Sequence, residues 1–195
     1  AQVGKYEVHP TTINSLLEKC LSIFGRTHKE LTIDSSQQDD VWTVDVDRGQ
    51  IEQVFLNIFI NAGQAMPGGG SLYIETRNLY NSEREVKHHG VAPGRYVCVS
   101  ITDTGTGMDE KTMERIFDPF FTTKRSRRGT GLGLASAYGI IKRHGGFITV
   151  RSQPGTGSTF RIHIPVSDKD VTSDDEVSEV LITGHETILV VDDER

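Results

Sequence analysis

The chain has 195 residues, of which 35% are hydrophobic and 25% charged, and a formal net charge of −6. That composition supplies one core of ordinary domain size, and no run approaches the roughly 20 apolar residues of a membrane span. Residues 1–166 hold 19 Lys and Arg against 17 Asp and Glu, so the acidity lies beyond them and nothing in the balance suggests a nucleic-acid binder.

The start shows neither a basic-then-apolar signal sequence nor an anchor. The expectation is a soluble, cytoplasmic segment with no direct membrane contact. It begins at Ala1 and reads as a piece of a longer protein, whose other parts can carry membrane segments. Cys20 and Cys98 sit in apolar contexts without metal-ligand or redox spacing, as core residues of a reducing compartment do.

Residues 10–30 carry helical periodicity at Ile13, Leu16, Leu17, Cys20, Ile23 and Phe24, with Thr12 or Asn14 able to cap the start. Short strand-like runs follow at 31–34 and 41–46. A helix over 47–66 has a cap at Asp47 and a capping-box partner in Gln50, and Pro67 with Gly68-Gly69-Gly70 stops it. This helix is apolar on most of its surface, with Ile51, Val54, Phe55, Ile58, Ala62 and Ala65 on one face. A single stripe of carboxamides, Gln53, Asn57, Asn61 and Gln64, runs opposite and is narrowed by Leu56 and Ile60. An unpartnered buried carboxamide costs about 1–3 kcal/mol, so such a row faces a polar ligand, a metal or water.

Strands are predicted at about 71–79 and 95–102, and the second delivers Asp103 into DTGTGM (103–108). Gly105 and Gly107 allow a tight turn and close approach to a flat ligand, while the Asp103 carboxylate can accept from an exocyclic amine such as adenine N6. A helical pattern covers about 109–117. Phe117, Phe120 and Phe121 then fall in a stretch rich in charge and glycine, which suggests a mobile lid with an aromatic latch. Lys124, Arg125, Arg127 and Arg128 supply cations just before Gly129, Gly131 and Gly133, which lead into a helix over 131–144. Backbone N–H groups at such a helix start form an anion site. Strands FITVRS and STFRIHIP close the domain around Gly155-Thr156-Gly157. The clusters lack the rhythm of a dinucleotide-binding βαβ fold, and predict a two-layer α/β sandwich, a mixed sheet with helices on one face.

Residues 167–186 carry seven acidic side chains and one basic, the composition of a solvated linker. ETILVVDDER resumes a buried-strand pattern and ends in Asp192 and Asp193, a plausible hard-cation pair.

In order and spacing, QVFLNIFINAGQAM, DTGTGM, IFDPFFTTK and RGTGLGLA resemble the ATP-binding catalytic domain of sensor histidine kinases, over about residues 10–166. The wider superfamily includes gyrase, the heat-shock chaperone ATPase and the mismatch-repair ATPases. The resemblance implies the Bergerat ATP-binding fold over 1–166. It further implies that Asp103 reads adenine, that Asn61 holds Mg²⁺ with Asn57 beside the phosphates, and that Gly105 and Gly107 shape the base pocket. Gly129, Gly131 and Gly133 would cradle phosphate, with Thr130 and Leu132 between them also in the ATP-binding set, Lys124 and Arg128 are candidate lid cations, and Thr159 corresponds to a threonine near the adenine.

Hydrolytic members carry a glutamate where this chain has Asn57, which cannot serve as a carboxylate base. The implied role is therefore donation of the γ-phosphoryl group of Mg-ATP to a histidine on a dimerisation domain. None of His9, His28, His88, His89, His144, His163 or His185 lies in a phosphoacceptor signature. Residues 187–195 resemble the first strand of a response-regulator receiver, which would make the parent a hybrid kinase. The competing expectations are an independent ATPase or serine-directed kinase on the same fold, and a degenerate nucleotide-binding docking module.

Overall fold

The computed structural model describes residues 6–123 and 130–167. Lys124, Arg128 and Gly129, most of the acidic linker and the receiver-like segment lie outside the described residues. Among those described, no helix is long and apolar enough to cross a membrane.

A short strand β1 (His9–Thr11) precedes helix α1 (Ile13–Thr27), which buries Ile13, Leu16, Leu17, Cys20 and Phe24, five of the six predicted apolar positions, while the sixth, Ile23, is exposed. Thr12 occupies the N-cap position without a side-chain cap bond, and Asn14 Nδ2 donates instead to the Gln38 carbonyl at 2.9 Å. Strands β2 (Leu31–Gln37) and β3 (Val44–Val46) follow. Helix α2 (Arg48–Ala65) starts where expected, with Asp47 Oδ1 accepting from Gln50 N at 3.0 Å. The reciprocal half of the capping box is not made, since the buried Gln50 Oε1 has no partner.

Then come β4 (Gly70–Asn81), the single turn α3 (Glu83–Val86), a 3₁₀ turn (Lys87–His89) and β5 (Gly94–Asp103). The predicted helix at 109–117 contracts to α4 (Glu110–Met113), capped by Asp109 Oδ1 accepting from Thr112 N at 2.9 Å. Helix α5 (Gly133–Arg143) and the hairpin β6 (Phe147–Gln153) and β7 (Gly157–Pro165) complete the chain.

The main sheet has the order β2-β4-β5-β7-β6, with β2 parallel to β4 and every other pair antiparallel, so it is mixed as expected; β1 pairs with β3 in a separate ribbon. Strand alternation sends Val97, Val99 and Ile101 of β5 and Phe160, Ile162 and Ile164 of β7 to one face. There they meet Phe55, Phe59 and Ile58 of α2 and Ile140 and Ile141 of α5 in one continuous core. Each such side chain stabilises the fold by about 1.5–3 kcal/mol through burial. The two-layer sandwich is thus as predicted, with α1, α2 and α5 covering one face.

The opposite face is largely polar except at one end, where Val86 of α3 covers Tyr96 and Phe147. Beneath lies His163, whose ring stacks on Phe147 at 4.2 Å, and Phe147 stacks in turn on His89 at 4.3 Å. His163 Nδ1 faces Asn81 Nδ2 at 3.3 Å and Nε2 faces the Cys98 thiol at 4.0 Å. Burial pushes the imidazole down from 6.5 to about 4, helped by His89 and Arg161 and opposed by Glu85. A base with a depressed folded pKa charges preferentially on unfolding, so stability is full above about 6.5 and is lost as pH falls toward about 4. That window holds on the order of 3 kcal/mol. His163→Gln should flatten the slope of stability against pH between those limits, and an unchanged slope in urea titrations at stepped pH would remove His163 as its source.

Candidate functional site

Between α2 and the start of α5 a cleft of about 430 Å³ opens onto the ends of β5 and β7. From α2 it receives Asn57, Asn61 and Gln64, three of the four predicted carboxamides. The fourth, Gln53, lies one turn earlier and donates from Nε2 to Ser136 Oγ of α5 at 3.4 Å. Asn61 Nδ2 donates to the Asn57 carbonyl at 2.7 Å, an i to i−4 bond that turns its own carbonyl oxygen away from the helix backbone.

Asp103 ends β5 and is only 3% exposed. Burial raises its carboxyl pKa, and bonds from the Gly105 N–H and from the Ser158 backbone and hydroxyl offset this in part. The Gly105 bond is 2.8 Å long. Gly105 has no room for a side chain, since a Cβ would stand 2.7 Å from Ala65 Cβ and 2.8 Å from Asp103 Oδ1. The rest of the DTGTGM loop is pinned on both flanks. Thr106 N donates to the Ala65 carbonyl at 3.1 Å, Gly155 N to the Thr106 carbonyl at 2.7 Å, and Met108 N to Ser152 Oγ at 2.8 Å. Preformed backbone of this kind is what a rigid base pocket requires.

At the other end, Thr130, Gly131, Gly133 and Leu134 line the cleft. Gly131 adopts φ +66°, its carbonyl accepts from Phe120 N at 3.0 Å, and a Cβ there would fall 2.5 Å from the Phe120 carbonyl carbon. Helix α5 then begins at Gly133 with no side-chain cap bond at its N-cap, Leu132. Its first-turn N–H groups, together with the positive end of the helix dipole, suit an anion. A Cβ on Gly133 would lie 3.5 Å from Asn57 Oδ1, so the start of α5 abuts the carboxamide stripe.

Two expectations are corrected. Thr159 lies on the sheet face away from the helices, its Oγ1 3.0 Å from Thr102 Oγ1, and Ser158 lines the cleft in its stead. Register decides this, because β5 pairs Asp103 with Ser158 and a one-residue offset reverses the face. Leu132 is the exposed N-cap of α5, and Leu134 lines the cleft. Of the predicted aromatic latch, Phe117 and Phe121 pack against the core while Phe120 stands 74% exposed at φ +67°. Lining residues not foreseen include Thr106, Met108, Ile116 and Phe160. Met108 and Thr106 belong to DTGTGM, so the motif's full length was the available signal.

The donor set tests the implied cation. Among the described residues no three His, Cys, Asp or Glu side chains converge as a metal cage. A single carboxamide oxygen beside an anion site suits Mg²⁺, which takes most of its ligands from phosphates and water.

Residues 46–168 match the family model described as histidine kinase-, DNA gyrase B- and HSP90-like ATPase. Sensor kinase CckA of Brucella abortus is 42% identical over 175 residues, 85% of this chain and 18% of that protein. The catalytic domain of histidine kinase ThkA superposes with a TM-score of 0.67 at 29% identity, covering 82% of this chain and 96% of that one. Full-length ShkA in complex with AMPPNP gives a TM-score of 0.65 at 25% identity over 86% of this chain and 33% of that one. The chain therefore spans about a fifth of CckA and a third of ShkA.

Proposed function

The chain belongs to the histidine kinase-, DNA gyrase B- and HSP90-like ATPase family, as an ATP-binding domain of the sensor histidine kinase kind, and from that premise we propose that its cleft holds Mg-ATP for transfer of the γ-phosphoryl group to a histidine on a dimerisation domain. One observation carries the reading: a buried carboxylate, a carboxamide oxygen and an uncapped helix N-terminus meet in one cleft.

Asp103 accepts from the adenine amino group, with the carboxylate held in orientation by Gly105 N–H and Ser158. The first turn of α5 receives phosphate oxygens, aided by Lys124 and Arg128. Asn61 offers its carbonyl to Mg²⁺, which when bound neutralises charge on the transferring phosphoryl group. Asn57, one turn earlier, orients the same oxygens by hydrogen bonding and has no carboxylate with which to take a proton from water. That substitution favours transfer over hydrolysis. The AMPPNP complex of ShkA supports the choice of nucleotide. A receiver domain would take the phosphoryl group onward, in a cytoplasmic signalling protein whose acidic segment 167–186 would join the catalytic domain to it.

Calorimetric titration with ATP, with and without Mg²⁺, tests the assignment. One-to-one binding tightened by Mg²⁺ is expected, and Asn61→Ala should remove about tenfold of that tightening, the effect of a lost bond to a charged group. An undiminished magnesium response in Asn61→Ala would clear Asn61 of the role. No ATP binding at millimolar concentration would defeat the nucleotide reading altogether.

A further inference from the structure

His144 lies outside the cleft, yet both of its ring nitrogens are committed to joining the two helices that form it. The side chain is 7% exposed. Nδ1–H donates to the Ile140 carbonyl in the last turn of α5 at 2.8 Å. Nε2 accepts from the backbone N–H of Asp47, the N-cap of α2, at 3.0 Å. This pairing fixes the tautomer, with the hydrogen on Nδ1 and the accepting lone pair on Nε2. The carboxylate of the same Asp47 accepts from Gln50 N at 3.0 Å through Oδ1 and from Glu7 N at 3.2 Å through Oδ2. Tyr6 lies against the imidazole with ring centroids 5.6 Å apart. Incoming chain, α2 and α5 therefore meet at one imidazole.

The two helices run antiparallel from that joint. Gln53 meets Ser136 part way along, and Asn57 and Asn61 meet Gly133 at the far end. With 11 residues in α5 the joint stands roughly 16 Å from the phosphate end at 1.5 Å per residue. A rotation of about 5° at the joint would move the first turn of α5 by about 1.5 Å relative to Asn61, on the scale at which a misplaced binding group loses its bonds. The chain also leaves α5 sharply, which fixes the imidazole. Gly145 takes φ +71°, Gly145 N donates to the Lys142 carbonyl, and Gly146 N donates to the Ile141 carbonyl.

We infer that His144 is a positioning residue for the nucleotide cleft, holding α5 in register with α2 and tying both to the chain that enters at Tyr6 and Glu7. This rests on the nucleotide reading above. A histidine that served packing alone would be replaceable by any side chain of equal bulk. Here the acceptor on Nε2 is the feature that matters.

Three variants separate these cases. His144→Phe keeps the ring and removes both bonds; His144→Gln keeps a carbonyl able to accept from Asp47 N–H; Val86→Ala weakens the separate cluster on the opposite face. ATP affinity, thermal midpoint and the amide resonances of Asn57 and Gly133 are read for each. His144→Phe should weaken ATP by about tenfold, the size of effect expected of a residue coupled to a site it does not touch. It should also shift both amides. His144→Gln should recover to within about threefold of wild type, and Val86→Ala should lower the midpoint with affinity and resonances unchanged. Wild-type affinity in His144→Phe, or equal losses of affinity in His144→Phe and Val86→Ala at matched midpoints, overturns the inference. Should His144→Phe not fold, affinity lost in His144→Gln in proportion to its midpoint alone would overturn it as well. A wild-type chain that bound no ATP would defeat the nucleotide reading first, which keeps the two failures apart.

Discussion

Gly157→Ala is expected to cost about 3 kcal/mol or more and to lower the thermal midpoint by about 10 °C for a domain of this size. Gly157 adopts φ +98°, a conformation that costs an L-residue roughly 1–2 kcal/mol by itself. An added Cβ would stand 1.9 Å from the Asp103 carbonyl oxygen and 2.8 Å from its carbon, so the β5–β7 ladder would have to part there. The damage reaches function because the displaced backbone is that of Asp103. ATP affinity should fall along with stability. Two other glycines calibrate the claim. Gly155 also has positive φ (+81°) but nothing within 4 Å of its Cβ position, so Gly155→Ala should cost only the conformational term. Gly139 lies within α5, with nothing within 4 Å, and Gly139→Ala should stabilise by about 0.5–1 kcal/mol. Thermal melts that ranked Gly155→Ala as the more damaging of the two turn variants, or left Gly157→Ala at the wild-type midpoint, would contradict the close approach.

The contrast between Gly157 and Gly155 also shows what kind of information the sequence carries. Both lie in Gly155-Thr156-Gly157, and spacing alone read the segment as a turn. Which glycine approaches another strand depends on the register of β7 against β5, a long-range property. The same register decides between Ser158 and Thr159. Two adjacent hydroxyls cannot be told apart locally, and a period of two makes the choice all or nothing. The helices were more legible because their evidence is local. The carboxamide stripe on α2 repeats at helical spacing, and three of its four members line the cleft. Even there the outlier has a tertiary cause, as Gln53 is taken by Ser136 of α5. His144 was passed over for the same reason. As a single histidine after an amphipathic helix it carries no periodic signal, and its meaning arises only when Asp47, nearly a hundred residues earlier, is brought to it. The three phenylalanines mislead in the opposite direction, since their polar neighbours suggested a mobile lid while Phe117 and Phe121 pack against the core.

The opposed effects expected of Asp103→Asn bear most directly on the cleft: a weaker grip on ATP together with a higher thermal midpoint. Burial raises the Asp103 carboxyl pKa above 3.8, and the bonds from Gly105 and Ser158 do not fully compensate. Between 3.8 and the raised value the folded chain keeps a proton that the unfolded chain releases. Stability therefore falls as pH rises through that window, and the full penalty is in place at neutral pH. Asparagine removes the buried charge while retaining an oxygen to accept from Gly105 N, so stability should rise. Binding should suffer, because the amide would present a donor where the adenine amino group needs an acceptor. The loss of a charge-assisted bond is about 1.5–3 kcal/mol, or roughly ten- to a hundredfold in affinity. Discrimination against guanine nucleotides should narrow as well, since the new donor suits a carbonyl. In the wild type, acid should weaken ATP at a pH above that of an ordinary aspartate, as protonation removes the acceptor. Paired melts and titrations with ATP and GTP check all of this. A variant less stable than wild type would mean that the carboxylate's hydrogen bonds outweigh its burial. Equal losses for both nucleotides would mean that Asp103 shapes the pocket without reading the base.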